Sequence, residues 1–370
     1  MKVSYIHGIC VKNDAISNSI RDEITWLSRE NRDDVRLYAY ACDYAELPFT
    51  KVSNLSDVIF NSHFQSSDLV VFHFGIFYQL FNLLPVVPVR AKSLVVFHNI
   101  TPKQLVSFEN YPLVEKSFQQ MANILFADHV VCDSQVNLDT LRAYKIRTPS
   151  TVIPLAVHGD LKIPKSKPSF VDRLVRIVFV GRFVQSKGPV DLLEALHKVL
   201  QLNPSIRLVL DMIGNLSFSN SVLLEKIHKI IEIIHQDFIG RIKITIHGNA
   251  SEGLKYQILR DADLFVLPTY HEGFCVPIVE ALSSGCKVIA YKNSNTPMIS
   301  GGLATLTPTG NVALLSDAII ESIMEIISSS WQGEGHRSYI EYTQKAWKHT
   351  QQYTPENVRT QFLSFIESFC

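Results

Sequence analysis

The sequence has no excess of charge of either sign, because 35 Lys and Arg residues balance 35 Asp and Glu residues in a chain of 370. Charged residues make up only 19% of the chain and hydrophobic residues 46%. This composition excludes an intrinsically disordered chain, and it lacks the excess of basic residues that binding to nucleic acid requires. We therefore expect no nucleic-acid partner. The length favours two domains of about 150 to 200 residues each.

The cysteines lack any paired arrangement. The six are scattered along the chain, and none belongs to a C-x-x-C motif. Isolated cysteines in apolar surroundings are typical of reduced thiols in a cytosolic protein, so we predict a cytoplasmic protein and assign no cysteine to a metal. Residues 1–8 have too short an apolar run for a signal peptide and predict a first buried strand instead.

The sequence also lacks an uninterrupted hydrophobic segment of the length that spans a membrane. Residues 69–89 contain no Asp, Glu, Lys or Arg, and a span needs roughly 20 residues. Pro85, Pro88 and several polar residues interrupt this run, however. We interpret Leu69–His73 as a buried parallel strand that a loop and a helix follow. The alternative is an interfacial surface, by which the N-terminal domain would contact the inner face of the membrane peripherally.

Short apolar runs of strand length alternate with helical patterns along the chain, which predicts a parallel α/β architecture. The runs form two sets on either side of residues 160–176, a Pro-containing basic stretch that we interpret as a linker. We predict a Rossmann-like N-terminal domain over residues 1–165 and a second Rossmann-like domain over residues 170–340. The runs of the first set are 3–6, 35–40, 69–73, 94–98 and 129–132; those of the second are 175–180, 206–210, 242–247, 264–268 and 288–291.

The last part of the chain is predicted to be helical, with a break at Pro355. Its apolar residues need a partner, and several of them share one face of the last helix. We therefore expect a segment of about 345–370 to return to the first domain and complete it. The residues expected to pack there are Trp347, Val358, Phe362, Phe365 and Phe369.

The strongest functional signal lies in residues 264–290. A buried strand ends in a polar loop, a helix starts near Pro277 and stops at Gly285, and another strand follows. Ligands of open α/β sheets bind at the carboxyl ends of the strands. Glu272 in the loop and Glu280 on the first turns of the helix can therefore face one cleft, where backbone N–H groups suit an anion such as a diphosphate. These N–H groups belong to Gly273, Phe274 and Cys275.

A second signal follows the strand predicted at 175–180. The strand enters a turn at Gly181 and delivers Arg182 and Lys187, before an amphipathic helix that carries Leu192, Leu193 and Leu196. Arg presents a planar fork of donors and Lys a compact charge, and this combination suits phosphate oxygens.

The two signals together resemble glycosyltransferase family 4. The match is the spacing Glu272-x7-Glu280, with Gly-Phe after the first Glu and Pro five residues beyond it, together with Arg182 and Lys187. The resemblance implies a GT-B fold, in which two Rossmann-like domains face each other across a deep interdomain cleft. It also implies that Glu272 meets the sugar hydroxyls, that Glu280 holds the ribose, and that Arg182 and Lys187 clamp the donor diphosphate. It covers residues 175–309 by motif and the first domain by layout.

The first domain carries weaker signals. His98 ends a predicted strand, where many members of the family have a His that reaches the transferred sugar; a structural His is the alternative. We interpret His73 as structural or as lining the acceptor site. Gly8 lies where the family has a glycine-rich loop near the phosphates, but Ile9 and Cys10 follow it and depart from that pattern. Met298 stands where many relatives carry Glu, and we assign it no role.

The resemblance implies a retaining transfer of a hexose from a nucleoside diphosphate sugar to a hydroxyl group. The acceptor would be a saccharide or a lipid-linked saccharide, in polysaccharide or glycoconjugate biosynthesis. Family frequency ranks UDP-glucose first and GDP-mannose second as donor. We expect no cofactor and no metal, since Asp261-Ala-Asp263 imitates an Asp-x-Asp metal site but directly precedes a strand. The alternatives are a sugar phosphorylase or a nucleotide-sugar epimerase of the same fold, and a non-catalytic sugar-nucleotide-binding subunit.

Overall fold

The structure is a computed structural model, and it describes residues 1–30, 33–159, 166–172, 174–216, 219–328, 331 and 337–370. The chain divides into two compact units, one made of residues 1–156 and 353–370 and the other of residues 157–352. Each unit is an α/β domain built on its own parallel sheet. The predicted fold class, α/β with two Rossmann-like domains, is confirmed.

The first unit contains a seven-stranded sheet in the order β5-β3-β1-β6-β7-β8-β9, with every pair parallel. The sheet grows outwards from β1 in both directions, so the strand order reverses between β1 and β6. Two further strands, β2 and β4, form a small separate pair. The strands are β1 Lys2–Ile6, β2 Ile9–Cys10, β3 Asp34–Ala39, β4 Ala41–Cys42, β5 Phe49–Lys51, β6 Leu69–Phe74, β7 Lys92–Phe97, β8 His129–Cys132 and β9 Ser150–Val152.

Helices cover both faces of this sheet. The first helix, α1, turns Ile20, Ile24 and Leu27 into the core, as their spacing predicts. Asp14 precedes it and accepts from the backbone N–H of Ser17 at 2.9 Å. The α-helices of the unit are α1 Ala15–Glu30, α2 Leu55–Ile59, α3 Ser62–Gln65, α4 Tyr111–Gln120, α5 Gln135–Ala143 and the last helix, Pro355–Phe369. Its 3-10 helices are Gln79–Val86, Lys103–Leu105, Phe108–Asn110 and Met121–Phe126.

The second unit contains a six-stranded parallel sheet in the order β12-β11-β10-β13-β14-β15. This is the 3-2-1-4-5-6 order of a dinucleotide-binding fold, and its reversal point lies between β10 and β13. The strands are β10 Val175–Val180, β11 Leu208–Gly214, β12 Ile242–Gly248, β13 Leu264–Leu267, β14 Lys287–Tyr291 and β15 Ala304–Thr307. The helices are α6 Ser169–Asp172, the 3-10 helix Gln185–Lys187, α7 Pro189–Leu202, α8 Ser221–Asp237, α9 Glu252–Asp261, α10 Val276–Ser283, α11 Thr296–Ile299, α12 Val312–Ile326 and α13 Arg337–Thr350. The 3-10 helix Gln351–Tyr353 follows α13, and the last helix of the chain, Pro355–Phe369, is α14.

The terminal helix α14 packs in the core of the first unit. Val358, Phe362 and Ile366 are buried there, and the Phe362 ring lies 5.9 Å from the ring of Trp26 on α1. The returning segment begins at residue 353, later than the predicted 345. Trp347 was predicted to pack on the first domain, but it lies in α13, which belongs to the second unit.

The reason is that α13 has a partner of its own. Its Tyr339 and Ala346 are buried, and its Tyr342 hydroxyl donates to the carbonyl oxygen of Cys286 at 2.8 Å. An amphipathic helix shows that it needs a partner, but its periodicity does not show which unit provides it.

The linker interpretation of residues 160–176 is wrong for its described second part; residues 160–165 and 173 lie outside the described residues. The Lys167 side chain is buried, and its Nζ donates to the carbonyl oxygens of Arg260 at 2.7 Å and Ser284 at 2.8 Å. These carbonyls lie at the ends of α9 and α10. A lysine that satisfies two helix C-termini belongs to the fold, because a positive charge is favourable there.

The interpretation of residues 69–89 as a buried strand followed by a loop and a helix is confirmed. Its first residues form β6, in which every side chain is buried. The 3-10 helix Gln79–Val86 follows and turns Leu80, Phe81 and Leu84 into the core. Within the described residues, no helix combines the length and the apolar character that crossing a bilayer requires.

Candidate active site

Two loops of the second unit, which carry most of its predicted site residues, lie side by side at the reversal point of the sheet. One loop follows β10 and leads into α7, and the other follows β13 and leads into α10. Hydrogen bonds join them, since the backbone N–H of Tyr270 donates to the carbonyl oxygen of Ser186 at 2.8 Å and the Thr269 hydroxyl donates to the same oxygen at 3.1 Å. The reversal point is the place where open α/β sheets bind ligands.

The central contact of the site joins these loops through an ion pair. The Nζ of Lys187 lies 2.6 Å from Oε1 of Glu272. Glu272 is buried, while the Lys187 side chain stays 19% exposed. Glu272 takes one of the three ammonium donors of Lys187 and leaves the others available to a ligand anion. The structure thus brings together two predicted site residues that are far apart in sequence.

Arg182 and Gly181 lie on the first of these loops. Arg182 is exposed, directly beyond the end of β10. The loop closes on Gly188, whose φ is +65° and where a Cβ would lie 2.1 Å from the carbonyl oxygen of Pro268. Only glycine fits there, so the path of the loop that carries Arg182 and Lys187 depends on this close approach.

Glu280 lies on the second turn of α10 and is also buried. Its Oε1 accepts from Nζ of Lys255 at 2.7 Å and from the hydroxyl of Tyr256 at 2.9 Å, both on α9. Burial, and then the Glu280 carboxylate, raise the pKa of Tyr256, so this hydroxyl stays protonated and donates. These contacts fix the position of the Glu280 carboxylate.

Cys275 begins α10 in an unusual conformation. Its φ of +81° and ψ of +62° place it in the left-handed region, which a side chain disfavours. Burial and the neighbouring Glu272 carboxylate raise the pKa of its thiol, so the group is not a nucleophile at neutral pH. The carbonyl oxygen of Phe274 accepts from Nδ2 of Asn295 at 2.8 Å, which fixes the loop before the helix. Gly273 and Phe274 precede Cys275 in this loop.

Asp263 lies at the opposite end of β13 from the candidate site. It is buried, and its carboxylate accepts from the hydroxyl of Ser169 and from the backbone N–H of Arg176. These bonds give the second acid of the Asp-x-Asp sequence a role within the fold.

His98 in the first unit belongs to a chain of buried polar groups at the carboxyl ends of β6 and β7. Its Nδ1 lies 2.7 Å from Oδ2 of Asp133, and its Nε2 lies 2.8 Å from Nδ1 of His73. Nε2 of His73 lies 3.1 Å from Oε2 of Glu23. A ligand that bonds to His98 through a ring nitrogen must therefore replace one of these partners.

Gly8 and His7 follow β1 beside this chain. His7 is buried, its Nδ1 donates to the carbonyl oxygen of His73 at 3.1 Å, and its ring lies 5.1 Å from that of Tyr78. Burial, together with His73 and His98, lowers the pKa of His7 to about 3, so its ring is neutral. A Cβ on Gly8 would lie 3.2 Å from Cβ of Tyr78, which leaves little room for a larger residue.

Several residues that position the predicted ones were not expected from the sequence. Lys255 and Tyr256 hold Glu280, while Glu23 and Asp133 flank the two histidines. Their signal in the sequence is weak, because each lies on a different element from its partner. Asp133 directly follows β8, and a polar residue at the carboxyl end of a parallel strand is a candidate for a binding site, so its position gave a sequence signal.

The second unit matches a known family. Residues 163–345, just under half of the chain, match the family described as Glycosyl transferases group 1. This part of the chain is therefore similar to the glycosyltransferases of group 1. The finer assignment to family 4 remains a prediction.

Curated relatives match the chain over part of their length. A D-inositol 3-phosphate glycosyltransferase of Corynebacterium jeikeium is 29% identical over 136 residues, which are 36% of this chain and 32% of that protein. An O-antigen chain mannosyltransferase B of Escherichia coli is 24% identical over 155 residues, 42% of this chain and 38% of that protein. The chain thus spans about a third of the first of these relatives.

Solved structures share the fold over the whole chain. HepE of Anabaena, in complex with UDP and glucose, superposes with a TM-score of 0.73 at 17% identity and covers 100% of both chains. A sucrose-phosphate synthase of Thermosynechococcus elongatus gives a TM-score of 0.70 at 15% identity, covering 99% of this chain and 98% of that one. At these identities the likeness establishes the fold alone.

Proposed function

We propose that the protein is a retaining glycosyltransferase that moves a hexose from a nucleoside diphosphate sugar to a hydroxyl acceptor. The observation that carries the proposal is the ion pair of Lys187 and Glu272 at the reversal point of the second sheet. It sets a cation and a carboxylate beside each other, and the exposed Arg182 lies on the same loop as Lys187. A donor that carries both phosphates and sugar hydroxyls offers groups for all three side chains.

The leaving diphosphate gains negative charge as the glycosidic bond breaks. Arg182, Lys187 and the N-terminus of α10 would stabilise that charge, and preorganised donors of this kind supply a large part of many rate enhancements. Glu272 and Glu280 would position the sugar and the ribose. The acceptor attacks from the face that the diphosphate leaves, and the departing phosphate takes the acceptor proton. No cofactor and no metal take part in this proposal.

UDP-glucose ranks first as donor and GDP-mannose second. The structure of HepE contains UDP and glucose, which supports the first. The similarity to an O-antigen chain mannosyltransferase supports a mannose donor as the second. A saccharide or lipid-linked saccharide would be the acceptor, in polysaccharide or glycoconjugate biosynthesis.

We infer that the enzyme acts in the cytoplasm, in peripheral contact with the inner face of the membrane. Each of the six cysteines is a free thiol, as is usual in a reducing compartment. The first unit exposes Val86, Val89, Leu125 and Phe126 close to two 3-10 helices that pack together. Co-sedimentation with vesicles that contain anionic lipid tests the contact, and a protein that stays in the supernatant contradicts it.

Nucleotide binding tests the phosphate clamp without knowledge of the acceptor. We expect UDP or GDP to bind in calorimetry, and Lys187→Ala to weaken that binding roughly ten- to a hundredfold, the value of a hydrogen bond to a charged group. With the identified donor and acceptor, turnover should fall roughly a hundredfold. Lys243→Ala is the matched control, since Lys243 is an exposed lysine on β12 of the same unit.

Equal binding and turnover in Lys187→Ala and Lys243→Ala would reject the clamp. The rival activities give different products. A phosphorylase would release sugar 1-phosphate when product is incubated with phosphate, and an epimerase would convert the donor with no acceptor present. Nucleotide binding without turnover on any saccharide acceptor would favour the non-catalytic subunit.

A further inference from the structure

A buried chain of hydrogen bonds links four side chains: Asp133, His98, His73 and Glu23. It needs more protons than two neutral histidines can supply. Three contacts link the four groups, at 2.7, 2.8 and 3.1 Å. Each of them needs one proton, whereas two neutral imidazoles bring two. If each ring donated to its own carboxylate, Nε2 of His98 and Nδ1 of His73 would face each other as two lone pairs, which is repulsive.

A third proton must therefore lie in the chain, and the surroundings decide where. The Tyr5 hydroxyl donates to Oε2 of Glu23 at 3.2 Å, and the Ser19 hydroxyl donates to Oε1 at 2.8 Å. Donors of this kind favour an ionised carboxylate. Glu23 thus accepts three bonds as an anion, and the extra proton belongs to the imidazoles.

The groups around His98 favour the same placement. Burial alone lowers the pKa of His98, but the carboxylate of Asp133, with further contributions from Glu23 and Asp14, raises it. His7, a third imidazole beside the pair, is neutral at physiological pH because its pKa is lowered to about 3. The Tyr5 ring beside His73 is neutral as well, because burial and the Glu23 carboxylate raise the pKa of its hydroxyl. Among the groups that face the pair, the anions therefore outweigh the cations.

The two acidic ends of the chain line one small cavity, together with Asp22 on α1 and Phe362 on α14. Oδ1 of Asp133 is buried and has no hydrogen-bond partner among the described residues. The cavity has room for a water molecule, which would complete the bonding of this oxygen. None of the described residues that line the cavity has a basic side chain that could replace the imidazole proton.

We propose that Glu23, His73, His98 and Asp133 form one proton-holding unit, in which the two imidazoles carry one positive charge and His98 is the ring that presents it. This assignment rests on the proposed function only where it gives His98 a ligand. Since Nδ1–H of His98 is committed to Asp133, a neutral His98 would offer a lone pair at Nε2. The charged ring offers an N–H donor there instead, which suits a sugar hydroxyl or a phosphate oxygen that replaces His73. Glu23, His73 and Asp133 are positioning residues that keep His98 in this state.

Glu23→Gln tests the unit, because glutamine restores a balanced chain without the extra proton. Its amide N–H can donate to Nε2 of His73, whose Nδ1–H then donates to His98, whose Nδ1–H donates to Asp133. The measurement is a pH titration of ¹⁵N-labelled histidine resonances in the whole protein, assigned by their loss in His73→Asn and His98→Asn. We expect the titration of the pair to move to lower pH by about one to three pKa units, the effect of removing one nearby carboxylate.

Asp22→Asn is the matched control. It removes the same charge from the neighbouring position on α1, where Asp22 is paired with Arg21. A shift that is equal in both variants, or neutral tautomers in the unaltered protein at pH 7, would overturn the proposal. Glu23→Gln should also slow turnover of the nucleotide sugar by about tenfold or more, as the loss of a correctly protonated group does. Unchanged turnover in this variant would overturn the proposal that His98 donates a hydrogen bond to the ligand. If the unaltered protein showed no turnover at all, that result would count against the proposed function and leave the titration result intact.

Discussion

Replacement of Phe362 by Ala is expected to destabilise the whole first unit. Phe362 lies on α14 and is only 2% exposed, and its ring packs 5.9 Å from that of Trp26. Truncation of a buried Phe costs about 3 to 5 kcal/mol, made up of lost transfer free energy and of the cavity that remains. We expect the upper part of this range, because Phe362 already lines a cavity and the added space is hard to fill.

Hydrogen exchange measured by mass spectrometry separates the two units, which a single unfolding transition would not do. Protection of the central strand β6 should fall by roughly a hundredfold to several thousandfold, since each 1.4 kcal/mol is a factor of ten. Strands β10 and β13 of the second unit should keep their protection. Glu367→Ala, an exposed change on the same helix, should have almost no effect. If only α14 lost protection while β6 kept it, the helix would be an accessory and this reasoning would be refuted.

Three further outcomes are expected. Cys275→Gly should be tolerated, whereas Cys275→Val should cost about 2 kcal/mol or more in thermal unfolding, because a β-branched residue is strained at a φ of +81°; equal melting temperatures would contradict this. Burial lowers the pKa of His7 to about 3 in the folded protein, from a reference value of 6.5. Between these two pH values only the unfolded state binds a proton at His7. The free energy of unfolding should therefore fall as the pH falls through that window, by up to about 1.4 kcal/mol per pH unit. His7→Gln should flatten that dependence in exchange experiments from pH 6 to 4, and an unchanged slope would argue against a neutral His7. Transfer activity should survive excess EDTA; loss on chelation with recovery on addition of magnesium or manganese would reopen the role of Asp261 and Asp263.

Each of the two candidate-site motifs could be recognised from the sequence, because its residues lie close together in the chain beside a Gly or Pro that marks the end or start of an element. Gly181 and Pro277 mark where a strand or helix ends or begins, so the sequence alone locates Lys187 and Glu272 on loops at the carboxyl ends of strands. Their pairing then follows from the parallel sheet, because β10 and β13 are neighbours at the reversal point.

The partners that the sequence did not reveal come from separate elements. Glu23 on α1 contacts His73 on β6 across 50 positions of the sequence, and no local pattern encodes that contact. Trp347 shows the same limit for packing, since the amphipathic face of its helix indicates burial without naming the unit that provides it. Lys167 was interpreted as part of a basic linker, because composition does not reveal that its Nζ donates to carbonyl oxygens at the ends of two helices.

The return of α14 to the first unit gives the two units a fixed order of completion during synthesis. Residues 157–352 are made between the two pieces of the first unit, which takes on the order of 10 to 40 s at translation rates of 5 to 20 residues per second. During this interval the second unit has its whole sequence available, while the surface that α14 covers stays open to water or to a chaperone. The first unit is therefore completed only after residues 157–352 have been made, and until then the apolar surface that receives Val358, Phe362 and Ile366 is open to aggregation.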